Sequence, residues 1–238
     1  MKAKMPYIKL VFVLLLAAFL FGFAENRHKG RNIKEVGVQF TESENLYVTE
    51  QAVNKLLIQN NQAVTSIVKE TLDLNRVESI LNNHDMIENA EVYLTLDGKL
   101  RAKVSQRKPI ARVVGGSSFY LDRNGKVMPL SPNYSARVPL LFGFSESNVT
   151  EVYPITKYIR NDEFLTRHIT AVRRLNNGRF ELELRKLDFS VYFGEAEDID
   201  LKFNNFKAFY KKALKDEKLN TYRKVNLQFG NQVVCTKK

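Results

Sequence analysis

The chain opens on an apolar run with no period and then settles into two rhythms, a step of two and a step of three to four. From Leu10 to Ala24 fifteen consecutive residues carry no charge, and Tyr7 and Ile8 extend the run across Lys9 to eighteen positions. At ~1.5 Å per residue that is about 27 Å of helix, close to a ~30 Å hydrocarbon core. Lys9 can snorkel to the interface, and the five Leu, four Phe and two Val between Leu10 and Phe23 favour insertion. Lys2 and Lys4 before the run and Gly22 and Ala24 near its end also fit a cleaved export signal. A retained anchor is the preferred reading: 1–7 a short cytoplasmic tail, 8–24 a transmembrane helix, 25–32 a juxtamembrane linker. Either reading puts the bulk of the chain outside the cytoplasm.

Beyond the linker, Val36, Val38 and Phe40 alternate and predict a strand over Ile33–Phe40. Thr49 is a candidate N-cap for a helix carrying Val53, Leu56 and Leu57; Asp73 is another, before Leu74, Val77, Ile80, Leu81 and His84. Ala90, Val92, Leu94 and Leu96 alternate, Asp97-Gly98 forms a two-residue turn, and Leu100, Ala102 and Val104 alternate back. Strand, helix, helix, strand, strand make a first domain over 33–112.

The second domain, 113–238, is richer in strands. Phe119–Leu121 and Lys126–Leu130 flank a turn at Asp122–Gly125, and Pro139–Phe144 reads as a buried strand ending at Gly143. Tyr158, Ile159, Leu165 and Ile169 have helical spacing. After the Asn177-Gly178 turn, Phe180, Leu182 and Leu184 alternate, then Phe189, Val191 and Phe193. Ile199, Phe203, Phe206, Tyr210, Ala213 and Leu214 form a helical stripe with lysines, Lys202 and Lys207 among them, around it. Val225, Leu227 and Phe229 share a strand face, Gly230-Asn231 permits a turn, and Gln232–Thr236 forms a last strand.

The order of the first domain resembles a POTRA domain. Ala90, Val92, Leu94, Gly98, Leu100, Val104, Arg107, Pro109, Ile110 and Ala111 resemble the end of that domain in the FtsQ/DivIB family of cell-division proteins. The Phe119–Pro129 segment resembles the opening of the family's β domain. The resemblance covers about 8–236 and is strongest over 88–130 and 222–234. It implies an α+β chain: a transmembrane helix, a β-α-α-β-β POTRA-like domain, and a mostly antiparallel β domain with flanking helices. It further implies a non-catalytic scaffold in the inner membrane at the division septum. Partners would be FtsB- and FtsL-like single-span coiled-coil proteins, with FtsK-like and other division proteins as candidates at the POTRA domain. On this resemblance the partner-binding residues are Leu227, Gln228, Phe229, Gly230 and Asn231. Where the family has an acid and an Arg, this chain has Asn226 and Gln228, which puts a partner salt bridge there in doubt. The competing reading is another POTRA-containing envelope protein, in outer-membrane assembly or secretion.

Charge and chemistry change this picture little. After the opening run 34 basic side chains face 26 acidic ones, but the signs are interspersed, which argues against nucleic acid. One cysteine, Cys235, excludes an internal disulfide; Lys237 and Lys238 beside it would lower its pKa. His28, His84 and His168 have no second metal-type neighbour at ligand spacing, and Asp122 with Asn124 is too sparse for a calcium loop. Neither a nucleophile motif nor a phosphate loop is present, so no enzyme activity and no cofactor is expected.

Overall fold

The structure, a computed structural model, describes residues 5–29, 33–42, 46–58, 72–230 and 232–238. The chain divides into two units, Met1–Gln106 and Arg107–Lys238.

The first unit begins with α1 (Met5–Lys29). Every large apolar side chain described on it, from Leu10 to Phe23, is exposed. Among the described residues no helix is long and apolar enough to cross a membrane. The side chains described on α1 run only from Lys9 to Phe23, shorter than the segment expected at 8–24.

The rest of this unit is β1 (Glu35–Phe40), α2 (Glu50–Leu57), α3 (Leu74–Asn82), β2 (Ile87–Leu94) and β3 (Lys99–Gln106), with sheet order β1-β3-β2. The hairpin sets β2 antiparallel to β3, and the helical crossover brings β1 in parallel on the other side. Thr49 Oγ1 accepts from Ala52 N at 3.2 Å and Asp73 Oδ1 from Arg76 N at 3.1 Å, so both expected caps form. Val53, Leu57, Val77 and Leu81 are buried, as are Ala90, Val92, Leu100, Ala102 and Val104 on the strands. Gln106 pins the start of α2 to β3: its Oε1 accepts from Tyr47 N and Val48 N, and its Nε2 donates to Val48 O.

Leu96 departs from the expected alternation and is 95% exposed. The turn is one residue longer than a two-residue loop. Thr95 N donates to Lys99 O, Gly98 N donates to Thr95 O, and Gly98 sits at φ 86. That three-residue loop with a glycine in the left-handed region ejects Leu96 from the ladder. Asp122–Lys126 and Leu175–Arg179 repeat the same two hydrogen bonds, with Gly125 and Gly178 each at φ 78.

The second unit is one nine-stranded sheet. Its strands are β4 (Pro109–Val114), β5 (Phe119–Asp122), β6 (Val127–Met128), β7 (Leu140–Phe142), β8 (Ile169–Arg174), β9 (Phe180–Leu184), β10 (Ser190–Gly194), β11 (Tyr222–Asn226) and β12 (Val234–Lys237). Their order is β12-β11-β10-β9-β8-β7-β4-β5-β6. The sheet is mixed: β4–β7, β7–β8 and β10–β11 are parallel, the rest antiparallel. β4 pairs with both β5 and β7, so Pro109–Arg112, expected to close the first domain, lies in the second sheet. The return strand expected over Lys126–Leu130 shortens to β6.

Three helices, α4 (Tyr153–Asn161), α5 (Glu163–His168) and α6 (Ile199–Lys215), pack with the sheet into one core. Ile155, Ile159, Leu165, Phe203, Phe206 and Ala213 meet Val172, Leu182, Val191, Phe193 and Val225 there. On α6 two expectations change. Leu214 is exposed, because it stands ~100° round the helix from buried Ala213, and Phe209 packs instead against Phe189 and Tyr222. Lys202, expected in solvent, is buried, because 202, 206, 209 and 213 form one helical stripe. Its Nζ donates to Glu195 O at 2.8 Å and lies 5.0 Å over the Phe193 ring. Burial pushes the Lys202 pKa down, against the pull of Asp198, Glu197 and Glu195.

Candidate partner-binding edge

An unpaired strand edge is a row of N–H and C=O groups with no intramolecular partner. Among the described residues the two sheets end in four such strands, and they are not equivalent. The edge of β2 is filled by side chains of α3. Asn82 Oδ1 accepts from Ala90 N at 2.7 Å, Asn82 Nδ2 donates to Ala90 O at 3.2 Å, and Glu78 Oε2 accepts from Val92 N at 2.9 Å. β6 has only two residues, too few for a stable ladder. β1 has one neighbour, β3, and six residues. β12 has one neighbour, β11, and four residues.

The rim of β12 can be read from its register. Lys238 N donates inward to Thr221 O. Residues of a strand alternate in the direction of their backbone groups, so Thr236 and Val234 also face β11, opposite Lys224 and Asn226. The N–H and C=O of Cys235 and Lys237 therefore point away from the sheet. Around this rim the surface is basic: Arg223 and Lys237 are exposed, and Lys224 Nζ lies 4.5 Å over the Tyr192 ring. Lys238 reaches Asp188 at 3.5 Å. Exposed apolar side chains accompany it: Phe229, Val234, and Leu201 at the start of α6.

The residues expected at the site fall into three groups. Leu227 is 1% exposed, and its N–H donates to Tyr192 O at 2.9 Å, prolonging the β10–β11 pairing. It is a core residue, because alternation from buried Val225 returns it to the same face. Gln228, Phe229 and Gly230 are exposed. Gln228 N donates to Asn226 Oδ1, Phe229 O accepts from Gln232 N, and Gly230 O accepts from Asn205 Nδ2 at 2.9 Å, which ties the hairpin to α6. Phe229 does not continue the β11 face, since the strand ends at Asn226. Asn231 lies outside the described residues. The last strand is Val234–Lys237 rather than Gln232–Thr236. Sequence reading missed Val234 and Leu201; the Val233-Val234 pair carried a signal, and so did Leu201, an apolar residue outside the stripe of Ile199, Phe203 and Phe206.

Among the described residues the other candidates stand apart from one another. Cys235 is half-buried and burial pushes its thiol pKa up, opposite to the effect expected from the neighbouring lysines. His84 Nδ1 accepts from Met86 N, and His168 stacks on Phe164 with ring centroids 4.2 Å apart. The side chain of His28 lies outside the described residues. Asp122 Oδ1 accepts from Asn124 N and Lys126 N, closing a hairpin turn. Among the described residues no three His, Cys, Asp or Glu side chains gather as a metal site.

The chain thus joins a β-α-α-β-β unit to a nine-stranded mixed sheet whose last strand is bordered by basic side chains. Comparison with known families agrees: residues 33–105 match a POTRA-like domain, and residues 108–236 match the profile described as FtsQ/DivIB, C-terminal related. The chain belongs to the FtsQ/DivIB family, a family of division-related scaffolds. A search of curated proteins finds no match.

Proposed function

We propose that this protein is a non-catalytic, membrane-tethered scaffold of the bacterial division machinery that captures a partner chain by strand addition to β12. The observation carrying the proposal is the position of β12: it ends the sheet, has β11 as its one neighbour, and turns the backbone groups of Cys235 and Lys237 outward. An added strand would gain main-chain hydrogen bonds from that rim, while Phe229 and Val234 offer apolar contact. The lysines on the rim discourage pairing between copies of the chain and favour an acidic partner. FtsB- and FtsL-like single-span coiled-coil proteins are the proposed partners, met at Gln228, Phe229, Gly230 and the outward groups of β12.

The tether is the opening segment. α1 is 25 residues long, and its described side chains between Leu10 and Phe23 are apolar on every side. A helix apolar all round needs an apolar surrounding. With Tyr7 to Ala24 as the spanning stretch, Lys9 snorkelling to the interface, the chain would cross the inner membrane once, with residues 33–238 on the periplasmic side. At the first unit, the six residues of β1 are the place for a second, FtsK-like or related partner.

Crosslinking in intact cells followed by capture of this protein tests the reading. Recovery of small single-span coiled-coil proteins, together with a septal ring from a fluorescent fusion, is the expected result. A uniform peripheral signal without those proteins would favour the role in outer-membrane assembly or secretion instead. Retention in the membrane fraction after a high-salt wash is expected of the tether; release by that wash would overturn it.

A further inference from the structure

Three arginines from separate parts of the second unit line one cleft of about 260 Å³. Arg137 precedes β7, Arg160 lies in the last turn of α4, and Arg185 follows β9. The apolar lining comes from Val138, Pro139, Ile159 and Ile169, and no carboxylate among the described residues lines the cleft. Arg137 and Arg160 make no ion pair or hydrogen bond with any described residue. Arg185 spends its Nε–H on Arg167 O at 3.0 Å, which fixes the plane of its guanidinium and leaves its Nη donors unused. The neighbouring carboxylates are already engaged, Glu163 with Arg167 and Glu183 with Arg173. The two threonine hydroxyls cannot donate to a ligand, since Thr166 donates to Ile159 O and Thr170 to Glu183 O.

Three uncompensated like charges around one cleft repel each other, and a multivalent anion relieves that repulsion. Guanidinium groups are planar forks that suit phosphate oxygens two at a time. The cleft volume suits one compact group rather than a length of peptide. The sheet edge discussed above is remote, with β10 and β11 standing between β9 and β12. We infer that this cleft is a binding site for a phosphate or diphosphate group, held by Arg137, Arg160 and Arg185. The group is carried either by a soluble anion or by a lipid whose tail lies against Val138, Pro139 and Ile169.

Calorimetric titration of the full chain in detergent, at about 150 mM salt, tests this with inorganic pyrophosphate and with farnesyl diphosphate. Saturable pyrophosphate binding is expected, weakened about tenfold by each of Arg137→Gln, Arg160→Gln and Arg185→Gln. Lys215→Gln, at the exposed end of α6, should leave it unchanged. Tighter binding of farnesyl diphosphate assigns the site to a lipid-linked group; equal or weaker binding assigns it to a soluble anion. The inference is overturned if neither probe saturates, if the triple Gln variant binds as the parent does, or if citrate binds as well as pyrophosphate. All three side chains are exposed, so the variants should melt as the parent does, which thermal circular dichroism checks.

Discussion

Asn82 on α3 holds both backbone groups of Ala90 on β2, accepting from its N–H at 2.7 Å and donating to its C=O at 3.2 Å. With Glu78 on Val92 N, it makes a helix side-chain row act as the missing neighbour of an edge strand. Replacing Asn82 by Ala should leave both Ala90 groups unpaired and cost about 1–3 kcal/mol in urea unfolding. Hydrogen exchange should show the Ala90 amide exposed in Asn82→Ala. Full protection of that amide would mean that the edge is closed by something else.

Arg107 and Asp122 form an ion pair at 2.8 Å in which the carboxylate is 1% exposed and the Arg side chain 12% exposed. Asp122 also accepts from two turn amides, so one residue ties the start of β4 to the β5–β6 hairpin. Breaking a buried pair leaves the surviving charge without compensation. Asp122→Ala is expected to lose about 3–5 kcal/mol, measured by chemical denaturation. The double variant Arg107→Met/Asp122→Ala should recover part of that loss; no recovery would show that the turn amides, not the ion pair, carry the cost.

Tyr158 donates to Asp200 Oδ1 at 2.6 Å, and that bond, helped by burial, pushes its pKa to about 12 from 10.0. Between those values the unfolded chain gives up the phenolic proton first, so the folded state binds more protons. The contribution is complete below about pH 10 and fades as pH rises towards about 12. Tyr158→Phe should therefore be less stable than the parent near pH 9, with the gap closing towards pH 12. Urea midpoints across that range check it; a constant gap would remove the assigned titration.

Two variants separate the contributions to partner capture. Phe229→Lys should weaken capture and yield filamentous cells, since it places a charge at an exposed apolar position. Cys235→Pro should remove an outward N–H while sparing the β11 ladder, whose hydrogen-bonded pairs are Lys224–Thr236 and Asn226–Val234. Both variants must keep a cooperative thermal transition comparable to the parent's. Pull-down from crosslinked membranes reads the outcome, and full capture by Cys235→Pro would rule out strand addition at this rim.

Local pattern made much of the fold legible. Thr49 and Asp73 announced their helices, Phe180, Leu182 and Leu184 their strand, and the glycines at 98, 125 and 178 three turns, whose common three-residue length the pattern did not show. The candidate site was readable only in part. Leu227 and Phe229 look equivalent by alternation, yet one is buried and the other exposed, because β11 ends between them. Lys202 looks like a surface lysine, yet the acceptor at Glu195 O, supplied by the loop after β10, lets its amine be buried. Arg137, Arg160 and Arg185 are far apart in sequence and carry no shared pattern at all.

The residues by themselves determined which segments become strands and helices and where the capped helices start, since caps, turns and periodicity act between neighbours in the chain. Only the tertiary structure decided which strand ends each sheet, which edge α3 covers, and which charges face a common cleft. Those outcomes depend on contacts between segments distant in sequence, where hydrogen-bond geometry and the removal of water, rather than local preference, set the energy.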